Sequence, residues 1–132
     1  MDVLRPDNLL HFIETTEFTE AWAELGLNDE GDLAALQWSL MAGPKRAPVI
    51  RGTGGLRKTR FVPPHARVGK SGGLRVCYVY FESYGIVLLV LVYAKTEKDD
   101  LSLDECKAIK RYIEVAEKEL HRLRSLHSPE DS

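Results

Sequence analysis

The sequence lacks a long hydrophobic run and contains only two cysteines. Its longest apolar run, from Ile86 to Ala94, has nine residues, about half of the roughly 20 that a membrane-spanning helix requires. The N-terminus shows no basic segment leading into an apolar stretch, so we expect neither a transmembrane helix nor a secretory signal. Cys77 and Cys106 lie in apolar periodic segments without metal-site spacing. We expect both to be reduced core residues of a cytoplasmic protein.

Acidic residues are absent from the middle of the chain. Residues 43–81 hold nine bases and no Asp or Glu, whereas residues 1–42 hold nine acids and one base, a segregation hidden by the overall net charge of -2. The nine bases are Lys45, Arg46, Arg51, Arg57, Lys58, Arg60, Arg67, Lys70 and Arg75. Such a segment is expected to create a positive field suited to phosphate or another polyanion. Pairing with the acidic first block is the alternative for some of these bases.

The signatures of several enzyme classes are also missing. No G-x-S-x-G occurs, the segment Gly52 to Leu56 lacks Walker A spacing, and the four histidines show no metal-ligand spacing. We therefore expect no covalent catalysis, no nucleoside triphosphate binding, no metal site and no cofactor. The glycine pairs before the basic strands are expected to be strand-entry turns rather than phosphate loops.

The elements predicted from periodicity form a single α+β domain over residues 1–132. In chain order they are a strand from Leu9 to Ile13, a helix from Glu17 to Leu25 capped by Thr16, a helix capped by Asn28 and ended by Gly43-Pro44, strands from Gly55 to Val62, Leu74 to Phe81 and Ile86 to Ala94, and a helix from Leu103 to Leu126 with a capping box of Ser102 and Glu105. The predicted architecture is a small antiparallel sheet with an N-terminal helical hairpin and a C-terminal helix. The last strand, apolar on both faces to Val92, is placed centrally.

The basic residues concentrate on one strand and the loop that follows it. Alternation places Lys58 and Arg60 on one sheet face and Arg57 on the other. Arg75, at the start of the next strand, joins the first two when the register permits. If helices cover only one face, a concave cationic face remains on the other.

Further candidate binding residues flank these strands. The loop between the strands carries His65, Arg67 and Lys70, the connector before them carries Lys45, Arg46 and Arg51, and the end of the last strand carries Tyr93, Lys95 and Lys98. Tyr93 is the best candidate to stack on a base. His65, beside two prolines, is expected to be solvated more often than catalytic.

The element order resembles that of the RelE/HigB toxins of bacterial type II toxin-antitoxin modules, as do the segments GTGGLRKTR, SGGLRVCYVYF and LLVLVYAKTEKDDLS. The similarity covers roughly residues 9–122 and is closer to the HigB branch. It implies a RelE/ParE toxin-like fold and a metal-independent, ribosome-dependent endoribonuclease that cleaves translated mRNA in the A site. It also implies a cognate HigA-like antitoxin with a helix-turn-helix domain, with the ribosome and mRNA as further partners and no role for a membrane.

The resemblance assigns candidate catalytic positions to Lys58, Arg60, Arg75 and Lys95. Attack by a ribose 2'-OH requires removal of a proton and stabilisation of the phosphorane charge. Lys58, which we expect to be crowded by Arg57, Arg60 and Arg75, is the candidate base, and Arg60 and Arg75 are the candidate stabilisers. Family members carry an arginine and a tyrosine where this chain has Thr96 and Ser102, so a tyrosine-centred mechanism is not expected.

Two other function classes fit the same basic segment. A ParE-like gyrase poison would share this topology without RNase chemistry. A plain nucleic-acid-binding module would explain the bases equally well. The basic residues after the last strand and the turn before Arg75 favour the RNase.

Overall fold

A computed structural model describes residues 9–64, 73–94 and 100–126. The elements are β1 (His11–Glu14), α1 (Thr16–Glu24), a π-helical turn (Asp29–Leu33) that continues into α2 (Ala34–Ala42), β2 (Leu56–Phe61), β3 (Leu74–Phe81), a 3-10 turn (Glu82–Tyr84), β4 (Ile86–Ala94) and α3 (Leu103–Leu126). The predicted bounds of β3, β4 and α3 are confirmed.

The sheet has four strands in the order β1-β4-β3-β2. β2, β3 and β4 are antiparallel neighbours, whereas β1 pairs parallel to β4, with His11 opposite Ile86. The predicted α+β class and the central place of β4 are confirmed, but the sheet is mixed rather than wholly antiparallel. No hairpin joins β1 to β4, and a long connection through two helices permits either direction.

Helices cover both faces of the sheet. On one face, α1 and α2 bury Phe18, Trp22, Leu36 and Leu40 against β3 and β4. On the other, α3 packs Ile113 against Leu56, Cys77, Val79, Leu88 and Val90. The expected helix-free cationic face is therefore wrong, since α3 lies over the face to which Lys58 and Arg60 belong. What remains accessible is the strand end, where Arg60 is exposed and Arg75 is half-buried.

The helix ends follow local capping chemistry. In α3, Ser102 N–H donates to Glu105 Oε1 over 2.8 Å and Glu105 N–H donates to Ser102 Oγ over 3.1 Å, which confirms the predicted capping box. Asn28 Oδ1 accepts from the backbone N–H groups of Gly31 and Asp32, so its predicted role as a cap is also confirmed. The predicted cap of α1 is wrong by one residue, because Thr15 rather than Thr16 accepts from Phe18 N–H.

Both cysteines are free and buried, as expected. α3 is 24 residues long, with one apolar stripe that packs on the sheet. Within residues 9–64, 73–94 and 100–126, no helix is both long enough and apolar enough to cross a membrane.

Thr15 links α1 to the middle of the sheet, and its loss should be costly. Its hydroxyl donates to Val90 O over 2.8 Å, at the irregular stretch of the β3–β4 pairing, and accepts from Phe18 N–H over 3.0 Å. Thr15→Ala should lower the free energy of unfolding by about 2–4 kcal/mol, because it removes a helix cap and leaves a buried carbonyl without its partner. Urea unfolding would measure this, with the exposed neighbour Thr16→Ala as the control. Equal effects of the two substitutions would contradict the assignment.

Candidate functional site

The pairing of β2 with β3 brings three predicted residues to one sheet face. Arg60 lies directly opposite Arg75, and Lys58 lies opposite Cys77. On the next strand Tyr93 is opposite Arg75, so Arg60, Arg75 and Tyr93 form one row. Directly opposed residues have Cβ atoms about 4.5–5.5 Å apart, and like charges at that distance are unfavourable. Two opposed guanidinium groups can donate to one phosphate together, which makes this row the candidate phosphate site.

The end of β2 that carries Arg60 is held rigidly from the other face. Phe61 is buried, and its ring stacks on Trp22 of α1 with 6.2 Å between centroids. Trp22 in turn stacks on Phe18 at 5.4 Å. The backbone that presents Arg60 is therefore anchored in the main core.

Lys58 has an acidic neighbour. Its Nζ lies 3.7 Å from Asp100 Oδ1, just before α3, and the Lys58 side chain is 30% exposed. Arg57, which was expected to crowd it, belongs to the opposite face of the strand. Lys58 is therefore placed as a cationic phosphate ligand beside Asp100, and its role as the base stays a prediction.

Arg57 supports the fold, a role that sequence reasoning missed. Its Nη1 donates to Lys45 O over 3.0 Å and to Ala47 O over 2.7 Å. A bridge between Val49 and Arg57 and a bond from Lys58 N–H to Pro48 O complete the attachment of the connector to β2. The local sequence does not predict this role of Arg57, because the role depends on the connector before β2 running back along the edge of that strand.

The remaining bases of the connector differ in their surroundings. Lys45 Nζ lies 2.9 Å from Glu82 Oε1, Arg46 lies over Gly43, and Arg51 is exposed in the turn before β2. Glu82 and Asp100 both come from beyond residue 81. Among the described residues, no ion pair joins the basic segment to residues 9–42. Within the described residues, pairing with the acidic first block therefore does not account for these bases.

The glycine pair before β2 forms a structural turn. Thr53 is fully buried, and its hydroxyl donates to Ile50 O over 2.6 Å and accepts from Leu56 N–H over 3.0 Å. Gly54 has a φ of +77°, and a Cβ there would meet Lys110 Cγ of α3 at 3.1 Å. The turn packs against α3, as expected of a strand-entry turn rather than a phosphate loop.

The hydroxyl of Tyr93 points into the protein. Burial, together with the adjacent Cys77 thiol, raises the pKa of the Tyr93 phenol to about 12, and Arg75 opposes the increase. The Cys77 thiol, a weak hydrogen-bonding group, is the partner beside this hydroxyl. The phenol is therefore neutral near pH 7 and poorly suited to move protons, and only the ring remains for the predicted stacking.

Comparison with known proteins bears on the fold. No family model matches the sequence. A solved structure of the E. coli toxin RelE, a double arginine-to-alanine mutant in the free state, matches with a TM-score of 0.51 and 16% identity, covering 69% of this chain and 88% of that one. The protein has the RelE toxin fold. The predicted RelE/ParE-like architecture is thereby confirmed, and the assignment to the HigB branch stays a prediction.

Five predicted site residues lie outside the described part of this RelE-type fold. They are His65, Arg67, Lys70, Lys95 and Lys98. Along the chain, the first three fall between β2 and β3 and the other two follow β4. Their roles remain predictions. The described site therefore consists of the Arg60, Arg75 and Tyr93 row with Lys58 beside it.

Replacing Tyr93 by phenylalanine tests whether its hydroxyl contributes. Because the thiol beside that buried hydroxyl is only a weak hydrogen-bonding partner, Tyr93→Phe should leave the free energy of unfolding at pH 7 within about 0.5 kcal/mol of the parent, or raise it. Because its pKa is raised, the Tyr93 phenol keeps its proton to a higher pH in the folded state than in the unfolded state, where the pKa of tyrosine is about 10. Stability should therefore fall as pH rises from about 10 to about 12.

The Tyr93→Phe variant should lose that component of the alkaline decline, as measured by urea unfolding across this pH range. The exposed Tyr112→Phe serves as the matched control, and it should retain the full decline. A large loss of stability at pH 7 in Tyr93→Phe would show that the hydroxyl has a partner that matters.

Proposed function

We propose that this protein is the toxin of a type II toxin-antitoxin module and cleaves translated mRNA as a metal-independent, ribosome-dependent endoribonuclease. The observation that carries the proposal is the opposition of Arg60 and Arg75, with Lys58 beside them, at one end of a RelE-type sheet. The sequence resemblance to the RelE/HigB toxins supplies the reaction. The fold is shared, at 16% sequence identity, with a protein described as a toxin. The fold by itself supports the assignment to the toxin class.

The proposed reaction is an in-line displacement within the RNA. The ribose 2'-oxygen forms a bond to the adjacent phosphorus, the bond from phosphorus to the 5'-oxygen breaks, and the products are a 2',3'-cyclic phosphate and a 5'-hydroxyl. The proton of the 2'-OH leaves with a base, and the departing 5'-oxygen takes up a proton. Negative charge increases on the phosphorane oxygens, where fixed cationic donors are most effective.

The described residues supply charge stabilisation in this scheme. Guanidinium groups from Arg60 and Arg75 would contact the non-bridging oxygens with planar, paired donors. The ammonium of Lys58, held beside Asp100, would face the same phosphate. Lys95 and Lys98 complete the proposed cationic set from beyond β4.

The proposed partners follow from the same surface. The ribosome would present the mRNA in its A site, and a HigA-like antitoxin with a helix-turn-helix domain would inhibit by covering the cationic strand end or by blocking entry to that site. The charge of the basic segment suits RNA phosphates, which makes binding strongly dependent on salt.

Induction of the protein in a bacterium tests this function against gyrase poisoning. We expect incorporation of labelled amino acids to fall first, together with loss of full-length mRNA, while DNA synthesis continues. An earlier arrest of DNA synthesis with intact mRNA would favour a ParE-like, non-enzymatic toxin instead. Pulse labelling with an amino acid and with thymidine in the same culture shows whether protein synthesis or DNA synthesis stops first.

A further inference from the structure

A second basic surface lies on the outer edge of β2. A cleft of about 290 Å³ opens there between β2 and the C-terminal end of α2. Its charged and hydroxyl-bearing lining consists of Ser39, Arg46, Lys58, Thr59, Arg60 and Tyr78, and no acidic residue lines it. Alternation directs the Lys58 and Arg60 side chains to the other sheet face, where the Lys58 ammonium lies beside Asp100, so Arg46 is the base that belongs to this cleft. No carboxylate lies in the wall of the cleft.

Hydrogen bonds around Arg46 fix the backbone from which its side chain extends. Its backbone N–H donates to Gly43 O over 3.1 Å, and its guanidinium Nη2 lies 2.9 Å from the point that a Cβ on Gly43 would occupy. On either side of it, Pro44 O accepts from the Tyr78 hydroxyl over 2.8 Å and Ala47 O accepts from Arg57 over 2.7 Å. The guanidinium can lie across the helix end because residue 43 has no side chain.

The backbone of β2 adds a donor to the same cleft. Lys58 N–H points to the outer edge of the sheet, where it donates to Pro48 O over 3.2 Å. N–H groups two residues apart in a strand point to the same edge. Arg60 N–H therefore points outward as well, just past the end of the connector that covers the edge at Pro48.

Capping of α2 accounts for only part of this arrangement. A cation at a helix C-terminus is favourable by about 0.3–1 kcal/mol, which is reason enough for a base at residue 46. It does not explain why hydroxyl groups and the outward N–H of Arg60 line the same cleft while no carboxylate does. A phosphodiester has the charge and the acceptor oxygens to join a guanidinium, a strand N–H and a hydroxyl at one point.

We propose that this cleft binds a phosphate adjacent to the scissile one, so that single-stranded RNA crosses the outer edge of β2. This inference rests on the proposed function. The scissile phosphate lies at the Arg60 and Arg75 row, and its neighbour lies in the cleft against Arg46. Arg46 is then a binding residue for the RNA backbone and fixes how the substrate is positioned rather than stabilising the reacting atoms.

Binding of a short single-stranded 2'-O-methyl RNA by the full-length protein tests the inference, because this probe cannot be cleaved. Fluorescence anisotropy over a series of salt concentrations would give the affinity and its salt dependence. Arg46→Ala should weaken binding about 3- to 10-fold and reduce the slope of log K against log salt by roughly 0.7, the value for one phosphate contact on a single strand. Arg111→Ala, an exposed arginine of α3, is the control for net charge and should leave both unchanged.

Gly43→Ala tests the geometry without changing the charge. Its φ of −162° is open to any residue, so the added methyl acts by displacing the Arg46 guanidinium. This variant should weaken binding in the same direction as Arg46→Ala. Thermal unfolding of each variant, followed by circular dichroism, confirms that the fold is retained.

The outcomes separate this inference from the proposed function. If Arg46→Ala binds as tightly as the parent, or if Arg111→Ala is weakened equally, the cleft is not a phosphate site. Because the probe is not cleaved, an Arg46-dependent affinity in a protein that fails to cut mRNA on ribosomes would overturn the proposed reaction and leave the cleft in place.

Discussion

Alanine at both Arg60 and Arg75 abolishes growth inhibition and lowers ribosome-dependent cleavage by about 10³-fold or more, while the protein remains folded. This result is expected because the two guanidinium groups lie directly opposite each other and are the described cations best placed to stabilise the phosphorane. Removing a single preorganised donor to a developing oxyanion typically costs about 10²- to 10³-fold in rate. Removing both guanidinium groups should therefore lower the cleavage rate more than removing either one alone.

The double variant needs a control with the same change in charge. Arg111→Ala combined with Arg122→Ala removes two arginines from the exposed side of α3, away from the site. This control should retain toxicity and cleavage. A folded Arg60 and Arg75 double variant that still cleaves mRNA would falsify the proposed site.

Arg57 should behave differently from Arg60, although both lie on β2. Since its guanidinium donates to two connector carbonyls, Arg57→Ala should mainly lower stability. A triple substitution of Arg57, Lys58 and Arg60, suggested by charge segregation alone, would mix a folding defect with loss of the site. The Arg60 and Arg75 pair avoids that ambiguity.

Cleavage of free RNA by the purified protein should be slower than cleavage on programmed 70S ribosomes by about 10²- to 10⁴-fold, which is the usual contribution of a well-placed proton-transfer group. Neither described histidine adjoins the site: His11 is on the far edge strand β1, and His121 Nδ1 lies 3.5 Å from the Tyr84 hydroxyl. The ribosome would hold the mRNA bent for in-line attack and so supply the alignment that this small sheet does not.

Primer extension on one labelled mRNA, with and without ribosomes, measures this dependence. A parallel reaction with the Arg60 and Arg75 double variant controls for contaminating nuclease. Equal cleavage in the two parental reactions would overturn the ribosome-dependent mechanism. It would also make His65, outside the described residues, the leading candidate for a general acid or base.

The parts of the fold that depend on local chemistry were predictable. The bounds of α3 follow from its capping box and single apolar stripe, and the hairpin of β3 and β4 follows from a short turn between two apolar runs. Capping of α1 was displaced by one position because two adjacent threonines offer the same chemistry. Only the observed acceptor of Phe18 N–H distinguishes Thr15 from Thr16.

The features that depend on distant segments were not predictable. The parallel pairing of β1, the cover of α3 over the basic face and the contact of Lys58 with Asp100 all join parts of the chain far apart in sequence. For the site, alternation placed Lys58 and Arg60 on one face correctly, and the register then brought Arg75 to them. The cleft around Arg46 could not be predicted, because it depends on the path of the connector before β2, and the periodicity of the sequence does not indicate that path.

The pairing of β1 with β4 has a consequence for synthesis of the chain. Thr15 and Val90, which are hydrogen-bonded, are separated by 75 residues. At typical elongation rates of about 5–20 residues per second, the first strand leaves the ribosome about 4–15 s before the strand that it joins. Contacts of such high sequence separation form late in folding. The nascent protein therefore remains without its complete sheet, and without the Arg75 and Tyr93 pairing, until β4 has emerged.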